Sequence, residues 1–185
     1  MNSLRTVLRK YQILLKTYPV STQAIQSGLL MGVGDTIAQI CIEKKPLEEF
    51  NVKRLFNYSL VGLVYVGPSL RIWYGGLDKM FPSSGRKLQY KKVLVDQGIF
   101  APAFIASILT ILMGINGEKP EAIKEKLKQD YKDILITNYK IWPAVMIVNF
   151  SFVPVNYQVL VTQTVAVLWN IYFAWKANQP VIKIE

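Results

Sequence analysis

The feature that most constrains this chain is a run of 35 residues, 141–175, that contains no aspartate, glutamate, lysine or arginine. Shorter uncharged runs cover residues 17–34, 55–70 and 97–117. A helix needs about 20 apolar residues to cross the hydrocarbon core of a bilayer, so the longest run is too long for one span, and with residues 134–140 added it holds two. A soluble helix would expose charged side chains every few residues, and these runs contain none. The sequence therefore predicts an all-α integral membrane protein.

We expect a single membrane domain over residues 1–185, built as a bundle of four to five apolar helices. A polar connector over residues 118–133 separates the third apolar segment from the fourth. A very apolar soluble helical bundle is the alternative, and it would have to cover many uncharged helix faces. The predicted apolar segments are 19–42, 55–77, 93–117, 134–153 and 156–176.

The N-terminal 18 residues predict an amphipathic helix that lies apart from the apolar segments. This stretch carries four basic residues, and the first acidic residue of the chain is Asp35. Leu4, Val7, Leu8 and Tyr11 recur at helical spacing, which places them on one face. A basic, acid-free amphipathic start is typical of mitochondrial targeting sequences. A helix that lies on lipid headgroups has the same pattern, so both interpretations remain open.

Composition excludes most enzyme chemistry. The chain has no histidine and a single cysteine, Cys41, which excludes imidazole bases, histidine metal sites and intramolecular disulfides. Phosphate-binding glycine motifs are also absent from the sequence. We therefore expect no enzymatic activity, no cofactor and no metal. For Cys41 we expect a buried, inert thiol, with a redox-sensitive thiol as the alternative.

The net charge of +10 results from 22 lysines and arginines against 12 acidic residues. These basic residues flank the apolar segments instead of forming one basic face with aromatic platforms. We therefore expect the lipid bilayer and small solutes or ions as partners, with no direct nucleic-acid binding.

Polar side chains inside apolar segments are energetically costly and indicate function. They either line a polar pathway through the membrane or join helices by ion pairs and hydrogen bonds, and the sequence leaves both roles open. A pair between Asp35 and Arg71 is one such possibility. The candidate pore-lining or gating residues are Asp35, Gln39, Arg71, Asp96, Gln97, Lys140, Asn149 and Asn170.

Glycine and proline residues occur within the same apolar segments. Gly28, Gly32 and Gly34 predict a smooth stripe on the first segment that allows close helix packing, and a homo-oligomer is possible. Prolines interrupt four of the five segments and predict kinks, although broken helices also line transport paths. These prolines are Pro68, Pro102, Pro143 and Pro154.

Short motifs are spread along nearly the whole chain, among them Gly32-Val33-Gly34-Asp35, Val66-Gly67-Pro68, Asp96-Gln97, Trp142-Pro143 and Val153-Pro154. They resemble the family named for Mpv-seventeen and the twenty-two-kilodalton peroxisomal membrane protein. The C-terminal block is the most specific, and Asn138 belongs to a stretch that resembles the mitochondrial branch. The motif residues to which we assign a structural role are Gly32, Gly34, Pro68, Trp73, Pro102, Trp142, Pro143, Pro154 and Trp169.

The resemblance implies a mitochondrial inner-membrane protein with pore-forming behaviour, linked to mitochondrial DNA maintenance and control of reactive oxygen species. A peroxisomal membrane location is the alternative. Gln158 stands where the family usually has arginine, which removes a cation from the head of the last segment. We expect a channel weakly selective for small solutes or ions. A non-conducting scaffold, whose buried charges only stabilise the bundle, is the alternative.

Overall fold

A computed structural model describes residues 2–82, 86–153 and 155–181. This part of the chain is almost entirely helical and contains no β-strand, as the sequence predicts. A short 3₁₀ turn, Leu47–Glu49, lies between the second and third helices. The six helices are α1 (Asn2–Thr17), α2 (Pro19–Ile42), α3 (residues 52–80), α4 (residues 86–115), α5 (Pro120–Phe152) and α6 (Val155–Ala177).

Helices α2, α3 and α4 each contain one π-helical turn: Ala38–Ile42, Gly62–Val66 and Asp96–Phe100. In α3 and α4 the turn ends two residues before a proline, Pro68 and Pro102 respectively. Proline has no N–H and its ring crowds the carbonyl four residues earlier, so a widened turn lets the helix continue through it. These two prolines therefore modify the helix locally without ending it.

The polar connector and the fourth apolar segment form one continuous helix, α5, of 33 residues. Pro143 lies inside it and does not divide it. The helix ends at Phe152, and the next begins at Val155, close to the predicted boundary. Pro154 lies outside the described residues.

Helix α1 confirms the predicted N-terminal helix and ends just before Pro19. The Thr22 hydroxyl donates to the carbonyl oxygen of Leu14 at 3.1 Å, and the Tyr11 hydroxyl donates to the side-chain oxygen of Gln26. These bonds join α1 to α2 in this part of the fold.

Helix α2 lies at the centre of the bundle, where it contacts α1, α3 and α6. Small residues permit this closeness. A methyl group added to Gly62 would lie 2.5 Å from the Ser27 carbonyl oxygen, and one added to Gly34 would lie 2.6 Å from Cβ of Asn170. Gly28 faces α3 through Ser59. The predicted glycine stripe therefore packs within the chain, and it divides between two neighbouring helices.

The apolar core lies where α2, α3, α4, α5 and α6 meet. Its buried side chains include Met31, Tyr58, Leu109, Ile134 and Phe173. Each helix contributes at least one of them, so the bundle is held together from all five sides by burial of apolar surface.

Two of the described helices, Pro19–Ile42 and Tyr90–Ile115, are long and apolar enough to cross a membrane. These are the first and third predicted segments. The number of further spans remains a prediction. Large apolar side chains are widely exposed, among them Leu29, Ile72 and Ile99 at 65%, 75% and 63%. Such surface is suited to contact with lipid.

Candidate functional site

A cavity of about 240 Å³ lies between α2, α3, α4, α5 and α6. Its lining is mixed, because amide and carboxyl side chains alternate with aromatic and aliphatic ones. Asp96 is the one charged side chain among the described residues that line it. Its polar side chains include Gln26, Asp96, Gln97, Asn138, Gln163 and Asn170.

Asp96 lies at the start of the π turn in α4 and is 9% exposed. Its Oδ1 accepts a hydrogen bond from Nε1 of Trp73 at 2.8 Å, and its Oδ2 accepts one from Nε2 of Gln97 at 2.8 Å. The Tyr74 hydroxyl lies close to the same carboxyl group. Both hydrogen-bond donors are uncharged, and neither belongs to a lysine or arginine.

The network extends from Gln97 to α5. Nδ2 of Asn138, which is 5% exposed, donates to Oε1 of Gln97 at 2.8 Å. Buried amides need such partners because unpaired polar groups are costly. Sequence reasoning placed Asn138 in a family-like motif but did not identify it as a site residue. Its position within that motif was the available signal.

Stacked aromatic rings form one wall of the cavity. Phe100 and Phe104 both line it, with ring centroids 4.5 Å apart and planes inclined by 21°. Trp73 stacks on Phe100 at 4.7 Å. Trp142 of α5 and Trp169 of α6 also line the cavity, and their rings meet edge to face at 6.4 Å. Trp73, assigned only a structural role from sequence, therefore contacts the Asp96 carboxylate as well as the aromatic wall.

A second polar group, which we call the Arg54 cluster, consists of Asp35, Gln39, Glu43, Asn51 and Arg54. Nε of Arg54 lies 2.6 Å from Oδ1 of Asp35. Neither atom has an aligned hydrogen bond, so this contact is ionic. Nε2 of Gln39 donates to Oδ2 of Asp35 at 2.8 Å. Asp35 and Gln39 are fully buried, and neither lines the cavity.

The guanidinium of Arg54 also makes a paired contact with Glu43, at 2.9 Å from Nη1 and 2.8 Å from Nη2. Burial by itself would raise the pKa of Glu43, but hydrogen bonds from Arg54 and then Lys45 outweigh burial and hold that pKa below its usual value. Oδ1 of Asn51 caps the start of α3, because it accepts a hydrogen bond from the backbone N–H of Arg54 at 2.9 Å. The cluster therefore fixes the loop between α2 and α3.

The expected pairing of Asp35 with Arg71 is wrong. Arg71 is exposed, and it makes no ion pair within the part of the chain that the structure describes. Arg54, which precedes the predicted apolar segment, takes that place. The sequence prediction considered only charges within the apolar segments. Arg54 lies one residue before the segment 55–77, so it was not selected.

The other predicted site residues are dispersed. Lys140 is exposed, while Gln97 and Asn170 line the cavity with Asp96. The side chains of Asn149 and Gln158 lie outside the structural description. Cys41 is exposed at the end of α2, so the expectation of a buried thiol is wrong.

A third polar group joins α5 to α6 and was not predicted. Asp130, 1% exposed, lies 2.7 Å from Nζ of Lys126 and 3.0 Å from Nζ of Lys176. Nζ of Lys126 also donates to the carbonyl oxygens of Lys176 and Gln179 at the end of α6. A cation at a helix C-terminus satisfies carbonyl groups that lack helical partners. From sequence these residues were identified only as part of the polar connector or as charges near a segment end.

Comparison with known proteins gives a consistent result. Residues 114–174 match the model of the Mpv17 / PMP22 family. The chain is 45% identical over 171 residues to the mitochondrial inner membrane protein Mpv17 of Xenopus laevis, which covers 92% of this chain and 97% of that protein. The protein of the same name from Homo sapiens is 41% identical over 171 residues, again 92% of this chain and 97% of that protein. The one from Drosophila melanogaster is 39% identical over 156 residues, which cover 83% of this chain and 93% of that protein. No solved structure matches the chain.

The match covers nearly the full length of these relatives, and it includes the C-terminal block that carries the most specific motifs. The chain therefore belongs to the Mpv17 / PMP22 family and is a protein of the mitochondrial inner membrane.

Proposed function

We propose that the protein is a channel for small solutes or ions across the mitochondrial inner membrane, and that the cavity is part of its path. The observation that carries this proposal is the polar lining of a cavity between the helices of the bundle. Asp96, Gln97, Asn138 and Asn170 all reach it. Polar groups at membrane depth are tolerated where they face one another or a water-filled path.

The lining supports a narrower selectivity than the sequence suggested. From sequence we expected charges of both signs along the path. Among the described lining residues, Asp96 carries the one charge, and Arg71 and Lys140 are exposed elsewhere. A path with acidic and neutral polar groups disfavours anions. We therefore propose weak selectivity for cations and neutral polar solutes.

We further propose that this passage supports mitochondrial homeostasis through solute supply. The links to mitochondrial DNA maintenance and to reactive oxygen species would then be metabolic. Direct contact with nucleic acid is not part of the proposal, because the basic residues flank the helices. No enzymatic step is required.

The test is conductance of purified protein in planar lipid bilayers, with one pair of variants that differ only in where bulk is added. Ala166 lines the cavity, whereas Ala144 is exposed on α5. Ala166→Phe should reduce the conductance severalfold because the ring fills the path. Ala144→Phe should leave the conductance unchanged. Equal currents in both variants, or no current from the wild-type protein, would contradict the proposal.

The second candidate is a non-conducting scaffold, and the Arg54 cluster favours it. One guanidinium joins Asp35 and Glu43, and Nη2 donates to the Ala174 carbonyl oxygen at 3.3 Å, so α2, α3 and α6 are tied together. A scaffold predicts no current from well-folded wild-type protein, together with a strong loss of stability on removal of Arg54. A channel requires current whatever the stability effect.

A further inference from the structure

Asp96 differs from the other buried carboxylates of the described chain in having no cationic partner. Asp35 is paired with Arg54, and Asp130 is paired with Lys126 and with a second lysine. Asp96 is 9% exposed and receives hydrogen bonds from neutral donors only. The fold therefore neutralises two of its three buried aspartates and leaves the third open to the cavity.

A buried carboxylate without a counter-charge is energetically costly, even when its oxygens accept hydrogen bonds. A carboxylate has about four acceptor positions, and Trp73 and Gln97 supply two donors. In the ionised form of Asp96 the negative charge therefore has no counter-charge among the described residues. A cation in the cavity would balance it.

The cavity walls suit a cation that also carries carbon. Phe100 and Phe104 line the cavity from α4, which also carries Asp96, and Trp142 and Trp169 line it from α5 and α6. Aromatic faces attract cations within about 6 Å, and recognition of organic ammonium groups uses such rings. A strongly hydrated inorganic ion would gain less from these rings, because they supply no oxygen ligands.

We propose that the cavity binds a small organic ammonium ion, with its charge beside Asp96 and its carbon framework against the aromatic rings. The cavity volume of about 240 Å³ equals that of about eight waters. Drug-sized ligands need roughly 300–1,000 Å³, so the ligand of this cavity must be smaller. This proposal deepens the proposed function by naming the class of solute, and it rests on the same cavity. Binding itself does not require conduction.

The first experiment uses wild-type protein in an uncharged maltoside detergent and two probes of the same shape. Choline carries a quaternary ammonium, and 3,3-dimethylbutan-1-ol replaces it with an uncharged tert-butyl group. Isothermal titration calorimetry should show at least tenfold tighter binding of choline, because a charged contact in a desolvated site is lost in the alcohol. Equal affinities, or no binding of choline, would overturn the proposal.

The second experiment removes the charge from the site. Asp96→Asn keeps an acceptor for Trp73 and should weaken choline binding about tenfold or more, without changing the affinity for the alcohol. Asp78→Asn removes the same charge from a side chain that is 73% exposed, and it should leave both affinities unchanged. Equal weakening by both variants would overturn the proposal. Thermal unfolding of each variant checks that it folds. The comparison of choline with the alcohol on wild-type protein does not depend on either variant.

A third measurement separates this inference from the channel proposal. Potassium at the same concentration as choline should not displace it; full displacement would make the site one for inorganic cations and overturn the ammonium assignment. Choline that binds without any current in bilayers supports the site and contradicts the channel. Current without choline binding supports the channel and overturns the site.

Discussion

Arg54 on α3 lies with its Nε 2.6 Å from Oδ1 of Asp35 on α2, and both side chains are buried, at 5% and 0% exposure. The same guanidinium contacts both carboxylate oxygens of Glu43 and reaches a carbonyl of α6. One cation thus joins three helices and contacts two acidic side chains. Its removal would leave a buried carboxylate without a partner, which costs more than the pair itself contributes.

Arg54→Gln should lower the free energy of unfolding by about 3–5 kcal/mol, because it leaves Asp35 and Glu43 without their shared cation. The double variant Asp35→Asn/Arg54→Gln should be more stable than Arg54→Gln alone, since the buried charge is gone. Thermal unfolding in detergent, followed by circular dichroism, measures both. Strictly additive effects of the two substitutions would show that the pair is not coupled.

Arg71→Gln is the matched control for this experiment. Arg71 is exposed and makes no described ion pair, so its loss should change the free energy of unfolding by less than about 0.5 kcal/mol. A double-mutant cycle of Asp35 with Arg71 should show no coupling. Coupling as strong as that of Asp35 with Arg54 would contradict the structure.

Gly34→Ala should destabilise the contact between α2 and α6. The added methyl group would lie 2.6 Å from Cβ of Asn170 and 2.8 Å from its carbonyl carbon, so the helices must separate. Overpacking of this kind costs about 1–3 kcal/mol. Gly76→Ala adds the same methyl group to α3, where no atom lies within 4 Å, and it should be neutral or stabilising because alanine favours helix. Equal melting temperatures for the two variants would refute the close approach.

The junction between α5 and α6 should weaken in acid. Burial alone would raise the pKa of Asp130, but hydrogen bonds and charge interactions with Lys126 and Lys176 outweigh it and hold that pKa below the ordinary value of 3.8. The ionised form therefore stabilises the fold above pH 3.8, and this contribution is lost as pH falls through the lower folded-state pKa. Thermal unfolding measured from pH 5 down to pH 2 should show the loss.

Asp130→Asn should flatten that dependence on pH and lower the stability at neutral pH. Asp133→Asn is the control, because Asp133 contacts Lys176 at 3.2 Å with a side chain that is 63% exposed. Exposed pairs contribute about 0–1 kcal/mol, so this variant should retain the wild-type pH profile. A profile flattened equally by both substitutions would place the acid sensitivity elsewhere.

Cys41 should react with N-ethylmaleimide in the folded protein, because the thiol is exposed at the end of α2. The reagent attacks the thiolate, which forms in contact with water, so labelling also requires that the end of α2 lie at the membrane border. Mass spectrometry before and after denaturation measures the extent. Labelling that requires denaturant would show a buried thiol, and Cys41→Ser gives the unlabelled baseline.

The candidate site was only partly predictable from the sequence. Asp96, Gln97 and Asn170 were identified as polar groups in apolar surroundings, and they reach one cavity. Asp35 and Gln39 were identified by the same criterion and lie in the Arg54 cluster instead. The energetic cost of burying a polar side chain implies that the residue has a partner, but it does not identify that partner. Arg54 and Asn138 were missed because their roles depend on contacts between distant segments.

The sequence by itself determined that this protein is helical and that its apolar segments suit a membrane, because local hydropathy and charge spacing decide these properties. Its motifs also determined the family. Only the tertiary structure decided which charges meet. Pairing depends on the rotation and depth of each helix in the bundle, and these follow from side-chain packing such as that of Gly28 and Gly34. The same packing left Asp96 without a cation and opened the cavity beside it.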